Sequence, residues 1–360
     1  MTFSTTPTSR LPLLSICIPT YNRGPFLPDL LQSIVRQRDA LPHDLVACGI
    51  EVVISDNAST DDTERYIDPF RNVLDLHYVR QSDNIGPDRN FLAVVEAAHG
   101  RFCWLMGSDD VLEDGGLSHV LQALTRWDVA GLSVNYVRRS FDLSDRSDVR
   151  PPVSFSDDVI VEGTETIYRE FVGHWGYLSG HIVRRDLWDA VCATGEPLSF
   201  LNAYVHILIM GRMIERHPHW GYLHHKCVGW RGRNDSFVTR DHVDRMMIDV
   251  NGYRDITVHL FGRNSETTSA VLNNIAATHI LVHYQIAKVF YHSGTSLRQA
   301  AVTLTREYWR TPAYWRKLLP WILIPAPLLH HLWIGYQRVR YRLNPDFPIH
   351  PQARPRRGAA

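Results

Sequence analysis

The chain has 360 residues, 44% of them hydrophobic and 21% charged; these are globular values that exclude a disordered or fibrous protein. That length exceeds what one core usually fills, so one large domain with an appended segment is expected. Lys+Arg and Asp+Glu both total 38, which gives no reason to expect a nucleic-acid partner, yet ten Arg/Lys against two acids in residues 301–360 leave the first 300 residues at −8. A basic end on an acidic body suits contact with an anionic surface.

Residues 1–10 (MTFSTTPTSR) hold no apolar core of signal-peptide length, so export is not expected. Five scattered cysteines without metal-ligand spacing fit a reduced compartment. Residues 13–19 (LLSICIP) read as a buried strand ending in a loop, TYNRG. Leu27, Leu30, Leu31, Ile34 and Val35 then recur at helical spacing. Residues 51–55 (EVVIS) read as a second strand, and Ser59 with Asp62 resembles a capping box opening the next helix. Residues 76–79 read as a third strand, 90–98 as a helix stopped by Gly100, and 101–106 (RFCWLM) as a fourth strand.

Such alternation predicts an α/β fold with a mostly parallel sheet covered by helices on both faces. Ligands sit at the carboxyl ends of strands in such sheets. The polar clusters of residues 20–23, 56–62 and 108–110 fall there. Past residue 150 the alternation loosens: 180–184 and 221–230 read as strands, and 165–171, 186–192 and 202–216 as helices. After residue 241 the pattern is helical, with a long run over 268–292.

Three clusters carry chemistry. Ser108, Asp109 and Asp110 end the fourth strand in adjacent carboxylates, suited to Mg²⁺ or Mn²⁺ shared with substrate phosphates, or equally to capping a following helix. Asp56 and Asn57 open a loop (DNASTD) whose carboxylate suits a nucleobase N–H, or a simple N-capped turn. Asn84 and Arg89, in NIGPDRN, open a helix and offer a guanidinium suited to a diphosphate, or an exposed loop.

In order and spacing, SICIPTYNR, EVVISDNASTDDT, NIGPDRN and WLMGSDD resemble the GT-A nucleotide-sugar-dependent glycosyltransferases of the large inverting bacterial polysaccharide family. The resemblance covers residues 12–115 and extends more weakly to about 240. It implies a GT-A, Rossmann-like catalytic domain over 1–240, with a nucleotide-sugar half (12–115) and an acceptor half (116–240). A helical region, 241–360, follows. By motif, Thr20, Tyr21 and Asn22 border the nucleoside, Asp56 meets the base, and Arg89 lies near the diphosphate. Arg23, Asn57, Asn84 and Ser108 complete the donor set. Asp109 and Asp110 form the metal motif, Asp109 also meeting ribose. The family often has Asp-x-Asp-Asp where this chain has Gly107, Ser108, Asp109 and Asp110, so one carboxylate is missing. With GWRGRNDSF, this variant looks closest to the abequosyltransferase-like branch acting on deoxysugars. Within GWRGRNDSF, Arg231 and Arg233 suit closure over the diphosphate, or a solvated turn.

Inverting transfer needs a base for the acceptor hydroxyl. The family supplies a carboxylate from a helix; the matching stretch here, FLNAYVHILIMGRM, has no acid. His206 is its one proton acceptor, with an unperturbed pKa near ~6.5, or else a helix-face histidine; His181 and Glu196 stand in reserve. Trp175 and Tyr177 suit either stacking on acceptor sugar or the core. Residues 318–336 (LLPWILIPAPLLHHLWIGY) have the length of a membrane span, but three prolines and two histidines suit a segment at the headgroups of anionic lipid, or a packed hairpin. The expected partners are a nucleotide-sugar donor, a glycan or lipid-diphosphate-linked acceptor and an anionic membrane, at the cytoplasmic face. A sugar-nucleotide pyrophosphorylase and a non-catalytic sugar- or nucleotide-binding subunit are the rivals. A dinucleotide-dependent oxidoreductase is disfavoured because no G-x-G-x-x-G follows a strand.

Overall fold

A computed structural model describes residues 11–149, 153, 155–234, 237, 242–290 and 294–343, which fall in two units, Met1–Asp235 and Ser236–Ala360. The first unit is built on β1 (Leu14–Thr20), β2 (Ile50–Asp56), β3 (Leu76–Arg80), β4 (Phe102–Leu105), β5 (Val111–Leu112), β6 (Gly131–Arg139), β7 (Arg146–Ser147), β8 (Val159–Glu162), β9 (His181–Arg184) and β10 (His219–Arg231). The main sheet runs β3-β2-β1-β4-β9-β6-β10-β5, with β7 on β6 and β8 on β10. β1 to β4 are mutually parallel, while β9 is antiparallel to both β4 and β6.

β1 is buried along all seven residues, as a central strand with helices on both faces must be. The helix Leu27–Asp39 buries Leu27, Leu30, Leu31 and Ile34, the stripe its periodicity predicts. The helix Pro87–Glu96 follows Gly86, whose φ of 81° is open to glycine at little cost. Thr63–Ile67 is short, and its N-cap residue, Asp62, makes no side-chain capping bond; Asp61 Oδ1 accepts from the Thr63 amide at 3.2 Å. Ser59 instead accepts from the Asn22 amide, so the capping box does not form.

The second half of this unit holds elements the sequence patterns do not reveal: β5, the helix Gly116–Arg126, and the whole of β6. In β6 two polar residues interrupt the apolar run, and both are buried and paired. Ser133 accepts from Trp220 Nε1 at 2.9 Å, and Asn135 donates to the His224 carbonyl at 3.1 Å. Register shifts near Lys226 interrupt β10, which runs parallel to β6 and so ends at the same edge as β1, β2 and β4.

The second unit is helical. The run expected over 268–292 is two helices, Glu266–Ile275 and Leu281–Phe290, joined by a π-helical turn, Ala276–Ile280. Ser265 caps the first, its hydroxyl accepting from the Thr268 amide at 3.0 Å. Further on, Tyr314–Leu323 and Ala326–Arg340 meet at a 92° bend, where Ile324 is extended before Pro325. No single described helix is long and apolar enough to cross a membrane. Lys288 is buried, and its ammonium donates to the carbonyls of Trp321, Ile322 and Ile324. One cation thus satisfies the carbonyls that the helix end leaves unpaired. Lys288→Met should lower the melting temperature by several degrees, since charged hydrogen bonds contribute about 1.5–3 kcal/mol each; thermal melts of both chains check this.

Candidate active site

The three polar clusters at the carboxyl ends of β1, β2 and β4 are joined by side-chain hydrogen bonds into one edge. Asn22, with φ 52°, turns the chain after β1; its Oδ1 accepts from the Thr60 amide at 2.7 Å, tying that loop to the one after β2. Asn57 ties the second loop to NIGPDRN: Nδ2 donates to Asn84 Oδ1 at 2.9 Å, and Oδ1 accepts from the Ile85 amide at 2.8 Å. Asn90, not singled out by sequence, is buried and donates to the Ser55 carbonyl while accepting from the Ser55 hydroxyl. Asn22, Asn57 and Asn84 therefore shape the loops in which the motif match puts the donor. Thr20 is buried with its hydroxyl unpaired among the described residues, and Tyr21 is exposed.

Asp56 is fully buried. Its Oδ1 accepts from the Ser59 amide at 2.8 Å, its Oδ2 accepts from the Tyr78 hydroxyl at 2.6 Å, and Arg80 Nη1 lies 3.6 Å away. Each carboxylate oxygen can accept a second bond, so this pairing leaves acceptor capacity. Arg89 and Arg233 are exposed, with no hydrogen bond or ion pair among the described residues.

The two neighbouring acids face opposite ways. Asp109 Oδ2 pairs with Arg23 Nη1 and accepts from Asn234 Nδ2, both at 2.8 Å, and its Oδ1 has no partner among the described residues. Asp110 is turned inward: Oδ2 accepts from Tyr177 OH at 2.7 Å and Ser179 Oγ at 2.5 Å, and Oδ1 from the Arg231 amide at 3.0 Å. Burial, and then the charge of Asp109, push its pKa up to about 7. Of the two acids expected to hold a metal, Asp110 has both oxygens engaged by protein donors, whereas Asp109 Oδ1 is without a partner among the described residues. A divalent cation held by one carboxylate plus substrate phosphates fits that donor set. No helix begins directly after Asp110, so neither acid is a cap. Ser108 is buried beside them.

Arg231 also departs from expectation. It is buried; Nε donates to the Asp109 carbonyl at 2.7 Å, Nη1 to the Phe141 carbonyl at 2.5 Å, and Nη2 pairs with Asp29 at 2.7 Å. With its nitrogens so engaged, it fixes the Asp109 backbone rather than closing over a diphosphate.

His206 is packed in the core, 2% exposed, between Phe91 and Tyr204. Its Nε2 lies 3.0 Å from the Trp175 carbonyl. A carbonyl only accepts, so Nε2 carries the proton and Nδ1 holds the lone pair. Nδ1 is buried without a partner among the described residues, and burial pushes the pKa down to about 4. An open base near its ordinary pKa is therefore not what the structure presents. His181 is likewise buried, its pKa pushed well down by burial, and Glu196 is paired with Arg212 at 2.7 Å. Trp175 is core, and Tyr177 serves Asp110. A cavity of about 820 Å³ lined by Leu13, His99, Arg101 and Arg185 lies at the other end of the sheet, away from these residues.

A family model described as Glycosyl transferase family 2 matches residues 15–177. Abequosyltransferase RfbV of Salmonella typhimurium strain LT2 is 32% identical over 302 residues, 79% of this chain and 86% of that protein. Poly(ribitol-phosphate) beta-N-acetylglucosaminyltransferase TarS of Staphylococcus aureus strain Mu50 is 31% identical over 99 residues, 27% of this chain and 16% of that protein. The crystal structure of S. aureus TarS 1-349 in complex with UDP-GlcNAc shares the fold, with a TM-score of 0.57 and 18% identity over 82% of this chain and 81% of that one.

The buried imidazole gives stability a pH dependence. Between about pH 4 and 6.5 the unfolded chain protonates His206 while the folded chain does not, so stability falls as pH falls through that window, by up to about 3 kcal/mol. Thermal melts from pH 4 to 7 should show a shallower decline for His206→Leu, the remaining slope including that of His181.

Proposed function

Because this chain belongs to glycosyl transferase family 2 and is a nucleotide-sugar-dependent glycosyltransferase, we propose that it transfers a deoxyhexose with inversion, from a nucleoside diphosphate to a glycan acceptor on a lipid diphosphate, in surface polysaccharide synthesis. The observation that carries the donor reading is the outward Asp109, paired with Arg23 two strand spacings from Asp56. Two spacings are about 10 Å, a gap that a ribose and diphosphate can bridge from a base at Asp56. The deoxyhexose rests on the likeness to an abequosyltransferase over most of both chains.

In the reaction the acceptor hydroxyl oxygen bonds to the anomeric carbon, the bond from that carbon to the diphosphate breaks with its electron pair leaving on the diphosphate, and the hydroxyl proton passes to solvent water. Negative charge grows on the leaving nucleoside diphosphate, where fixed positive groups give most help. Arg89 and Arg233, exposed and without partners among the described residues, supply them, and Arg23 is held ready by Asp109. Mg²⁺ or Mn²⁺ held by Asp109 would add Lewis-acid stabilisation of the same charge. Tyr177, Ser179 and Arg231 keep Asp110 inward and hold the strand end still.

The acceptor's lipid motivates the second part of the proposal: the helical unit lies on the cytoplasmic face of a bacterial membrane. Leu328, Leu332, Tyr336, Val339 and Leu343 are exposed at three- and four-residue spacing along Ala326–Leu343, with Arg338, Arg340 and Arg342 among them. An apolar stripe with flanking arginines suits the headgroup boundary of anionic lipid.

A thermal-shift series with UDP, GDP, CDP and dTDP, with and without Mn²⁺, tests the donor reading. One nucleotide should raise the melting temperature, more so with Mn²⁺. Asp109→Asn should lose the Mn²⁺ increment and at least about 100-fold in transfer rate while melting near wild type; full activity in that variant would remove Asp109 from the site. For the membrane, the chain should float with anionic vesicles, and Leu332→Asp with Val339→Asp should abolish flotation. Unchanged flotation would reject the stripe as the contact.

A further inference from the structure

At the amino-terminal end of the sheet, opposite the donor edge, a second set of polar side chains converges. Glu51 begins β2 and is 2% exposed, an unusual place for an acid. Its Oε1 is held by three protein donors: Ser15 Oγ at 2.5 Å, the His99 amide at 2.6 Å and the Gly100 amide at 3.1 Å. Burial pushes the Glu51 pKa up, but these bonds more than reverse that and leave the carboxyl below its ordinary value. Oε2 points instead at two imidazoles, with His99 Nδ1 at 3.1 Å and His77 Nε2 at 3.5 Å. Asp75 Oδ1 lies 3.3 Å from the same His77 nitrogen.

The backbone arranges this meeting. Val53 on β2 pairs with His77 on β3, and Glu51 pairs with Ser15 on β1. Since residues two apart share a face, Glu51, His77 and Ser15 lie on one side of the sheet. His99 arrives from the turn between the helix Pro87–Glu96 and β4. That turn presses so closely on β1 that a Cβ at Gly100 would lie 2.5 Å from Ser15 Oγ, so only glycine fits there.

We infer that Glu51, His77 and His99, with water completing the shell, form a binding site for a transition-metal ion of the Zn²⁺ class. Two imidazole nitrogens and carboxylate oxygens are the donors zinc takes, usually in a tetrahedron. With bonds of ~2.0–2.2 Å, a tetrahedral ion needs its ligand atoms roughly 3.4 Å apart. The separations of 3.1 and 3.5 Å from Glu51 Oε2 to the two imidazole nitrogens already lie close to that spacing. The three donors on Oε1 act as the outer hydrogen bonds that fix a ligating carboxylate. The half-exposed imidazoles leave the ion a path from solvent.

Glu51 and Asp56 lie five positions apart, about 17 Å along β2. An ion here therefore does not touch the donor; it clips β2, β3 and the turn before β4 together. Its effect is on stability, and it is independent of the donor-edge metal.

The test uses the full chain, stripped of metal with chelator and titrated with ZnCl₂, alongside Glu51→Gln and a double variant, His77→Ala with His99→Ala. The wild type should bind one Zn²⁺ per chain at micromolar concentration or below, with a rise of several degrees in melting temperature. Co²⁺ in its place should give the visible bands of tetrahedral coordination. The double variant, whose histidines are half-exposed, should melt near the metal-free wild type and lose both the rise and the bands. An equal Zn²⁺ response in that variant, as from the stacked pair His119 and His225, would overturn the site. So would wild-type binding only at millimolar Zn²⁺.

Discussion

The hydrogen bonds to Asp110 join the two halves of the sheet at the point where chemistry is expected. A buried carboxyl group without partners costs several kcal/mol. Asp110 follows β4, in the parallel half, and all three of its donors come from the other half: Tyr177 and Ser179 just before β9, and the Arg231 amide at the end of β10. Ser179 is used a second time, its hydroxyl accepting from the Gly107 amide at 2.8 Å while its carbonyl accepts from Trp104 Nε1 at 2.9 Å. The direction of β10 and the antiparallel insertion of β9 thus have a shared consequence. They bring donors to an acid that the first four strands alone leave bare.

Fixing one acid frees its neighbour. Because Asp110 satisfies its oxygens internally, Asp109 faces the loop after β1, where Arg23 meets it. Arg231 then holds the Asp109 carbonyl from below and anchors itself on Asp29 of the helix Leu27–Asp39. Two arginines only two positions apart thus take different work according to burial: Arg231 is structural, and Arg233 stands in solvent with φ 64°. A positively charged edge with one partly neutralised carboxylate suits a diphosphate, since the field falls where leaving-group charge develops.

The parallel half was legible because each of its signals is local. An apolar β-branched run, a proline or glycine stop and a helical stripe suffice for β1, β2, β4 and the helix Leu27–Asp39. β6 escaped because its buried Ser133 and Asn135 look like surface residues until Trp220 and His224 arrive from 87 and 89 positions away. The site divides the same way. Motif order brings Asp56, Asp109 and Asp110 to one sheet edge, but the inward turn of Asp110 depends on Tyr177 and Ser179, nearly 70 residues later. His206 misleads for a related reason: its place in the helix matches a catalytic position, while burial against Phe91 sets its proton affinity. Reading Ser, Asn and His inside an otherwise apolar run as candidates for buried pairing would have recovered β6.

β2 carries a buried carboxylate at each end, and their partners set what each can hold. Asp56 is met by a tyrosine hydroxyl and an arginine, and Asp109 by another arginine. A guanidinium balances charge but has no lone pair to give. Glu51 is met by two imidazoles, each of which, when neutral, has one nitrogen able to donate electrons to a metal. At the carboxyl end of the strands, arginine therefore leaves anionic substrate as the natural ligand, with any cation arriving alongside its phosphates. At the amino end the same acid chemistry, paired with histidine, makes a cation the ligand in its own right. Strand direction separates the two by the length of β2, so a stabilising ion and a reacting diphosphate can share one sheet without competing.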